Sequence, residues 1–399
     1  MYGSLQIVFQ TDEFPTETMR NLICFPALFL FVASALPLVA NAAVPLPSPP
    51  QLSAKSYVLM DFQSGRLIAE NNLDERVEPA SLTKMMTEYV VSAELAQGTV
   101  RLSDEVTVSE KAWRMEGSRM FIEVNKRVTV EELLKGLIIQ SGNDAAVALA
   151  EHIAGSEQGF VHMMNDYAAK LGMTGTSFMN TTGLPDPDHY TTARDMATLA
   201  RAVIRDYPEE YKLYAVREFT YGGIRQQNRN KLLWRDDSVD GLKTGHTQSA
   251  GYCLVSSAVR DGMRLISVVL GTNSDKARAD QSQRLLNYGF RFFETSKVFV
   301  AGQPIKKVRI WQGETEELPV GVLQDVYITI PRGSSESLQT EIELSDYIVA
   351  PARIGQNLGK TRVKSENEVI AEANLVSLAN VNEGSLFQKA KDAVLRYFE

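Results

Sequence analysis

Cysteine and histidine are scarce: this chain of 399 residues has two of the former and four of the latter. The histidines show no His-x-x-x-His spacing and no cluster with cysteine, so the sequence predicts neither a metal site nor a cofactor. Cys24 lies in the N-terminal segment, and removal of that segment would leave Cys253 as the only thiol. A single thiol forms no internal disulfide, and we therefore expect stability to come from a buried core.

Positive charge is also in short supply, with 41 Lys and Arg residues against 49 Asp and Glu residues and a net charge of -8. Because phosphate binding needs a basic face, this charge argues against nucleic acid as the main partner. The sequence Gly355-x-x-x-Gly359-Lys360-Thr361 is one residue short of a phosphate-binding loop. With 44% hydrophobic and 23% charged residues, the composition is globular, and the length favours two domains.

A long apolar run, residues 22–40, follows Met19-Arg20 and ends in Ala40-Asn41-Ala42. A basic start, an apolar stretch and small residues at its end are typical of a signal peptide. Acidic residues precede Met19, which suggests that translation begins there. We predict that residues 1–42 are a leader and that the mature chain is exported; an uncleaved membrane anchor is the alternative.

The stretch Pro79-Ala80-Ser81-Leu82-Thr83-Lys84 opens an apolar pattern of helical period. Its hydroxyl, Ser81, and its amine, Lys84, are three residues apart and would share one face of the first helical turn. Lys84 can accept the Ser81 proton only when it is neutral, so its pKa must fall from about 10.4 to roughly 7 or 8. Such a fall needs burial and a second cation nearby.

A second polar element, Ser141-Gly142-Asn143, separates two predicted helices. The first begins at Thr129, which forms a capping box with Glu132, and the second covers residues 144–154. Taken alone, these residues indicate a helix break with capping side chains. Beside a Ser-x-x-Lys element, a functional role is favoured instead.

The second cation is predicted at Lys243, in the sequence Lys243-Thr244-Gly245-His246. Two apolar runs, residues 252–259 and 263–270, follow it around an Asp-Gly turn, which predicts a hairpin. The strand at Lys243 could pair with an extended peptide, and Gly245 would permit close approach. A solvated strand end is the alternative. The cationic segment 225–231 is open to two interpretations, a solvated loop or a site for an anionic substrate.

The three short motifs each occur once in the expected role, in this order, and the second and third follow the first at residues 141 and 243. With this set, the chain resembles the low-molecular-mass penicillin-binding proteins, specifically D-alanyl-D-alanine carboxypeptidases of the penicillin-binding protein 5 and 6 type. The likeness extends over nearly the whole mature chain. It implies an α/β (α+β) domain at residues 43–303, similar to DD-peptidases and serine β-lactamases, with an antiparallel sheet flanked by helices.

The resemblance also implies roles for the motif residues. Ser81 would be the nucleophile that forms an acyl-enzyme, and Lys84 would be its general base. Asn143 would hold the substrate amide, and Ser141 would relay a proton to the departing D-alanine. Lys243 would lower the pKa of Lys84 and pair with the terminal carboxylate.

Further substrate contacts are implied at Thr244, through its hydroxyl, and at Gly245. Backbone N–H groups of Ser81 and His246 would form the oxyanion hole. Arg229 and Arg278 match basic positions on the substrate side of the cleft. A His246 general base is the competing interpretation, but the chain has no Gly-x-Ser-x-Gly elbow.

The predicted substrate is the peptidoglycan pentapeptide stem with its D-Ala-D-Ala terminus, and β-lactams are predicted to acylate and inhibit the enzyme. A β-lactamase needs a glutamate to activate water, and residues 178–194 contain none. The alternatives are a DD-endopeptidase that cuts cross-links and a non-catalytic cell-wall binding protein.

From Pro304 onward, apolar residues alternate with polar ones at period two, which predicts a small all-β sandwich domain at residues 304–383. Residues 384–399 form an amphipathic pattern that is too short and too charged to span a bilayer. We predict that this helix attaches the protein peripherally to the outer face of the inner membrane. Packing of the helix on its own β domain is the alternative.

Overall fold

The computed structural model describes residues 46–365 and 368–398 of the chain. The predicted leader, with Met19 and Cys24, lies outside these residues. Within the described ranges, none of the helices combines the length and the apolar character needed to cross a bilayer.

The strands of the first part of the chain are β1 (Ser56–Asp61), β2 (Leu67–Asn71), β3 (Glu105–Thr107), β4 (Arg127–Thr129), β5 (Glu218–Tyr221), β6 (Ile224–Gln227), β7 (Val239–Thr247), β8 (Gly251–Arg260) and β9 (Met263–Thr272). Five of them form an antiparallel sheet in the order β2-β1-β9-β8-β7. The predicted hairpin, β8 with β9, is confirmed, and β1 pairs with β2 in the same antiparallel way.

The helices of this part are α1 (Lys84–Gln97), α2 (Glu110–Trp113), α3 (Val130–Lys135), α4 (Asn143–Ala154), α5 (Glu157–Lys170), α6 (Ala193–Asp206), α7 (Pro208–Tyr211) and α8 (Asp275–Phe292). Val58 and Met60 of β1 join a core formed with α1, α4, α5 and α6, whereas Leu59 joins a core formed with α8. Successive residues of a strand point to opposite faces, so the sheet is covered on both sides. The antiparallel sheet flanked by helices is confirmed.

The predicted helix ends also agree with the structure. The Thr129 hydroxyl accepts the Glu132 N–H, and the Glu132 carboxylate accepts the Thr129 N–H, so the predicted capping box begins α3. Ser141, with a φ of 66°, separates a π-helical turn (Gly136–Gln140) from α4, which ends at Gly155. This break fixes the direction in which the Ser141 and Asn143 side chains leave the backbone.

The C-terminal part is all-β apart from its last helix. Its strands are β10 (Phe293–Phe299), β11 (Pro304–Arg309), β12 (Glu317–Gly321), β13 (Val326–Pro331), β14 (Leu338–Leu344), β15 (Asn357–Ser365) and β16 (Glu368–Ser377), followed by α9 (Leu386–Phe398). They form a five-stranded sheet, β11-β12-β16-β15-β14, and a two-stranded sheet, β10-β13. Ile328 and Ile330 of the smaller sheet pack on Val363 of the larger one. The predicted domain limits stay predictions.

Candidate active site

Ser81 and Lys84 lie together at the start of α1. Ser81 is in a 3-10 turn (Ala80–Thr83) that runs directly into the helix, and Lys84 is the first helical residue. The Lys84 Nζ is 3.2 Å from the Ser81 Oγ, and Lys84 exposes 1% of its surface. The structure therefore brings the predicted hydroxyl and amine within reach of each other, with the amine buried and Ser81 partly exposed.

Two other oxygens fix the orientation of the Lys84 amine. Its Nζ donates to the Asn143 Oδ1 at 2.7 Å and to the backbone carbonyl of Thr182 at 2.6 Å. Both oxygens can only accept hydrogen bonds, so they take both N–H groups of a neutral amine. The remaining lone pair then faces the Ser81 hydroxyl, which is the geometry that a general base requires.

Burial is the main cause that lowers the pKa of Lys84 to about 7; the nearby Asp144 charge opposes this shift and the Arg229 charge adds to it. Burial also lowers the pKa of Lys243, which exposes 2% of its surface, well below its ordinary value. Repulsion from Lys84 is the next largest cause at Lys243. At Lys84 the cation that adds to the shift is thus Arg229, not the predicted Lys243, whereas the repulsion between the two amines lowers the pKa of Lys243.

Ser141 is hydrogen-bonded to Lys243. The Lys243 Nζ donates to the Ser141 Oγ at 2.8 Å and to the Thr244 carbonyl at 3.1 Å. On the other side, the Asn143 amide donates to the Glu116 carbonyl at 2.6 Å. Asn143 therefore orients Lys84 through one end of its amide and a surface loop through the other, and a substrate amide would have to compete with Glu116.

The strand β7 carries Lys243, Thr244, Gly245 and His246 at the edge of the sheet. An edge position suits the predicted backbone pairing with a peptide. A Cβ at Gly245 would lie 2.9 Å from the Pro79 carbonyl oxygen. The close approach that Gly245 permits is thus made by the chain's own turn before Ser81.

The two predicted arginines differ in their surroundings. Arg278 is 7% exposed, donates to the Gly245 carbonyl at 2.9 Å and forms an ion pair with Asp275, so it supports β7. Arg229 is exposed, and in the part of the chain that the structure describes it has no hydrogen bond or ion pair. Both arginines line one open cleft of about 1040 Å³.

His246 lies on the rim of the same cleft. Its exposed ring packs on Tyr252, with 4.0 Å between the ring centroids. Among the described residues, no carboxylate is hydrogen-bonded to the His246 ring. This placement does not support a histidine base, because a triad needs a partner that orients the imidazole.

Residues 180–184 contribute to the site, although none of the three sequence motifs includes them. Besides the Thr182 carbonyl, which accepts from Lys84, the Thr181 carbonyl accepts from the Thr87 hydroxyl at 2.8 Å. Gly183, with a φ of 84°, packs so tightly that a Cβ would lie 1.8 Å from the Ala80 carbonyl oxygen. The Asn180 side chain accepts the N–H groups of Thr182 and Gly183, as expected for a tight turn. The turn-rich composition of this segment was the available signal.

Comparison with known proteins shows which family model this chain matches. The model for D-alanyl-D-alanine carboxypeptidase matches residues 43–274, more than half of the chain. The chain belongs to the D-alanyl-D-alanine carboxypeptidase family. All three motifs fall within the matched range, and the model for the penicillin-binding protein 5 C-terminal domain matches residues 293–383.

Individual members of the D-alanyl-D-alanine carboxypeptidase family resemble the chain over almost their full lengths. The D-alanyl-D-alanine carboxypeptidase DacA of Haemophilus influenzae is 46% identical, with 94% of this chain and 96% of the relative covered. DacC of Escherichia coli is 43% identical, with 96% and 97% covered. The crystal structure of penicillin-binding protein 5 from Haemophilus influenzae gives a TM-score of 0.81 at 45% identity and covers 84% of this chain and 100% of that one.

Proposed function

We propose that this chain is a serine-type D-Ala-D-Ala carboxypeptidase that removes the terminal D-alanine from the pentapeptide stems of peptidoglycan. The observation that carries the proposal is the buried Lys84 amine, which donates to two acceptor-only oxygens and faces the Ser81 hydroxyl at 3.2 Å. The names of the relatives support the substrate class.

In the first half of the reaction, Lys84 removes the Ser81 proton and Ser81 attacks the carbonyl between the two D-alanines. Negative charge develops on that carbonyl oxygen. The backbone N–H groups of Ser81 and His246 stabilise it, and in other enzymes a donor of this kind contributes about 2.7 to 4 kcal/mol.

The leaving D-alanine needs a proton on its nitrogen and a partner for its carboxylate. Ser141 relays the proton, because its hydroxyl accepts from Lys243 at 2.8 Å. Lys243, Thr244 and Arg229 bind the carboxylate. Arg229 suits this role because it is exposed on the cleft and makes no ion pair among the described residues.

Water then hydrolyses the acyl-enzyme. A β-lactam acylates Ser81 in the same way but is released slowly, because residues 178–194 provide no glutamate to activate water. One carboxylate that contacts this segment, Glu157, accepts from the Thr181 hydroxyl at 2.9 Å and pairs with Lys111 at 2.7 Å. These contacts engage the Glu157 carboxylate. They therefore support a protein that β-lactams inhibit over a β-lactamase that hydrolyses them.

Two assays with the mature chain test the proposal. We expect release of D-alanine from an acylated peptide ending in D-Ala-D-Ala, and a benzylpenicillin adduct that peptide mass spectrometry maps to Ser81. Ser81→Ala is expected to lose both. An adduct on another residue, or D-alanine release by the Ser81→Ala variant, would contradict the mechanism, and absence of any turnover would favour a non-catalytic binding protein.

We further propose that the protein is exported to the periplasm and held on the outer face of the inner membrane by α9. Asp392 accepts the Gln312 N–H at 2.5 Å, and Lys391 pairs with Glu316 at 2.8 Å, so the polar side of the helix docks on the β domain. Leu386 and Phe387 are 86% and 81% exposed. An apolar helix side that faces outward is suited to the membrane interface.

The double variant Leu386→Asp/Phe387→Asp is expected to lose most of its binding to vesicles of anionic and zwitterionic phospholipid. Burial of two large apolar side chains is worth about 3 to 6 kcal/mol, which corresponds to at least a hundredfold in affinity. Cosedimentation measures the bound fraction. The matched control is Leu323→Asp, at a leucine of the β domain that is 55% exposed. Equal binding of wild type and double variant would rule out the helix as the anchor.

A further inference from the structure

We propose that His189 is a positioning residue, which excludes water from the Lys84 amine and holds in place the backbone carbonyl that orients this amine. This inference rests on the proposed carboxypeptidase function, in which Lys84 is the general base. His189 lies in the loop formed by residues 177–190, outside the three sequence motifs. Its ring bonds to the turn that bears the nucleophile, so a residue distant in sequence acts on the reacting groups through their support.

The contact of His189 is with the residue that directly precedes Lys84. The His189 Nε2 lies 2.9 Å from the Thr83 Oγ1, and only 2% of His189 is exposed. Thr83 is fully buried and ends the 3-10 turn that carries Ser81. A hydrogen bond at this position therefore acts on the backbone that places both the hydroxyl and the amine.

The partners of the ring define its protonation state. The Met179 N–H donates to the His189 Nδ1 at 3.4 Å, so Nδ1 bears the lone pair and Nε2 bears the hydrogen of a neutral imidazole. Nε2 then donates to the Thr83 hydroxyl oxygen. Burial lowers the pKa of His189 to about 4, although the charges of Asp186 and Glu78 oppose this shift. The ring is therefore neutral at pH 7.

The loop that bears His189 also supplies the carbonyl that orients the amine. The Thr182 carbonyl accepts from the Lys84 Nζ at 2.6 Å. Just after the loop, Thr191 and Val77 exchange two backbone hydrogen bonds, each 2.8 Å long. The imidazole adds a bond between the loop and the turn at a point between these contacts. His189 therefore helps to hold the Thr182 carbonyl against the amine.

An open depression of about 720 Å³ lies on the other side of the ring. Its wall includes His189 and five charged residues, which are Lys55, Arg76, Glu78, Asp186 and Asp188. Phe178 packs edge-on against the imidazole, with 5.8 Å between the ring centroids, and limits its movement. The ring thus separates the depression from Thr83. Without it, water from the depression would reach the buried turn beside Lys84.

Exclusion of water matters because burial is the largest cause that lowers the pKa of Lys84 to about 7. Charged groups around Lys84 are Asp144, which opposes this shift, Arg229, which adds to it, and Lys243, whose own pKa is lowered by repulsion from Lys84. These groups lie outside the loop of His189, so replacement of the ring leaves their charges in place. Entry of water would therefore raise the pKa of Lys84. Loss of a merely structural contact would leave that pKa unchanged.

The test is the rate constant of acylation by benzylpenicillin, measured against pH for His189→Ala. We expect the midpoint of the profile to move upward from near pH 7 by about one unit. At pH 7 the rate then falls about fivefold, because fewer of the amines are neutral, and it recovers at higher pH. A structural defect alone would lower the rate at every pH.

Two further variants separate the functions of the ring. His189→Gln keeps an N–H for Thr83 and an oxygen that can accept from Met179, so its midpoint is expected to shift by less than half as much as that of His189→Ala. His189→Asn is shorter and leaves part of the gap open. Its midpoint is therefore also expected to rise, and it provides the comparison if the alanine variant does not fold.

His162→Ala is the matched control, because His162 is an exposed histidine of α5. We expect its rate and midpoint to equal those of wild type, and thermal unfolding shows which variants are folded. An unchanged midpoint in the folded alanine or asparagine variant overturns this inference alone, as does an equal shift in the His162 control. A wild type that benzylpenicillin does not acylate overturns the proposed function as well.

Discussion

Lys84→Met is expected to acylate with benzylpenicillin about 10²- to 10⁴-fold more slowly than wild type, the range in which a general base contributes. The methionine fills the same buried space but has no lone pair that can take the Ser81 proton 3.2 Å away. Rapid-quench mass spectrometry measures the rate. A loss smaller than tenfold would show that another group removes the proton.

The control for this variant is Lys135→Met, which removes a partly exposed lysine that forms an i,i+4 pair with Glu131. A pair of this kind contributes little to stability. We expect its acylation rate to equal that of wild type. Circular dichroism of both variants separates a catalytic loss from a folding defect.

Gly183→Ala is expected to lose most of its acylation activity and several kcal/mol of stability. A Cβ there would lie 1.8 Å from the Ala80 carbonyl oxygen, so residues 182–184 must move away from the turn that holds Ser81. That movement would also pull the Thr182 carbonyl from Lys84 and free one amine hydrogen to compete for Ser81.

Gly98→Ala is the matched control for Gly183→Ala. Gly98 ends α1 with a φ of 75°, and a Cβ there would meet nothing within 4 Å. Gly98→Ala therefore lowers the stability only by the cost of a left-handed backbone at an alanine, about 1 to 2 kcal/mol. Thermal unfolding and the acylation rate are measured on both variants. If the two glycine variants behave alike, the close contact with Ala80 has no role in the site.

The sequence predicted those parts of the site that depend on short, local patterns. Ser81 and Lys84 are three residues apart at a helix start, so their proximity follows from helix geometry alone. The break at Ser141 and the cap at Thr129 are set by side chains that bond to their own backbone neighbours. The period-two pattern after Pro304 likewise indicated the β domain.

Contacts between distant parts of the chain could not be predicted in this way. Every residue carries a carbonyl, so no pattern marks Thr182 as the one that orients an amine 98 residues earlier. Arg278 resembled a substrate-facing cation, yet it bonds to the Gly245 carbonyl because α8 packs on the sheet beside β7. Such placements depend on tertiary packing, which a single sequence does not display.

Glu88 of α1 is another residue whose placement depends on tertiary packing and could not be predicted from the sequence. It lies one turn after Lys84 at a position where an amphipathic pattern would place a charge in water, but the helix is covered on all sides over residues 84–93. The Ser92 and Tyr214 hydroxyls donate to its carboxyl group at 2.6 and 3.3 Å, and burial raises the pKa of Glu88 to about 7. The helix that begins at Lys84 thus encloses a second titratable group.

The central claim is that burial keeps Lys84 neutral near pH 7 and so activates Ser81. The rate constant of acylation by benzylpenicillin, measured from pH 5 to 10, tests it most directly. Because the neutral amine is the active form, the account predicts a rate that rises with pH, has its midpoint near pH 7 and then levels off. A midpoint near the ordinary lysine value of about 10.4, or a rate independent of pH, would contradict it.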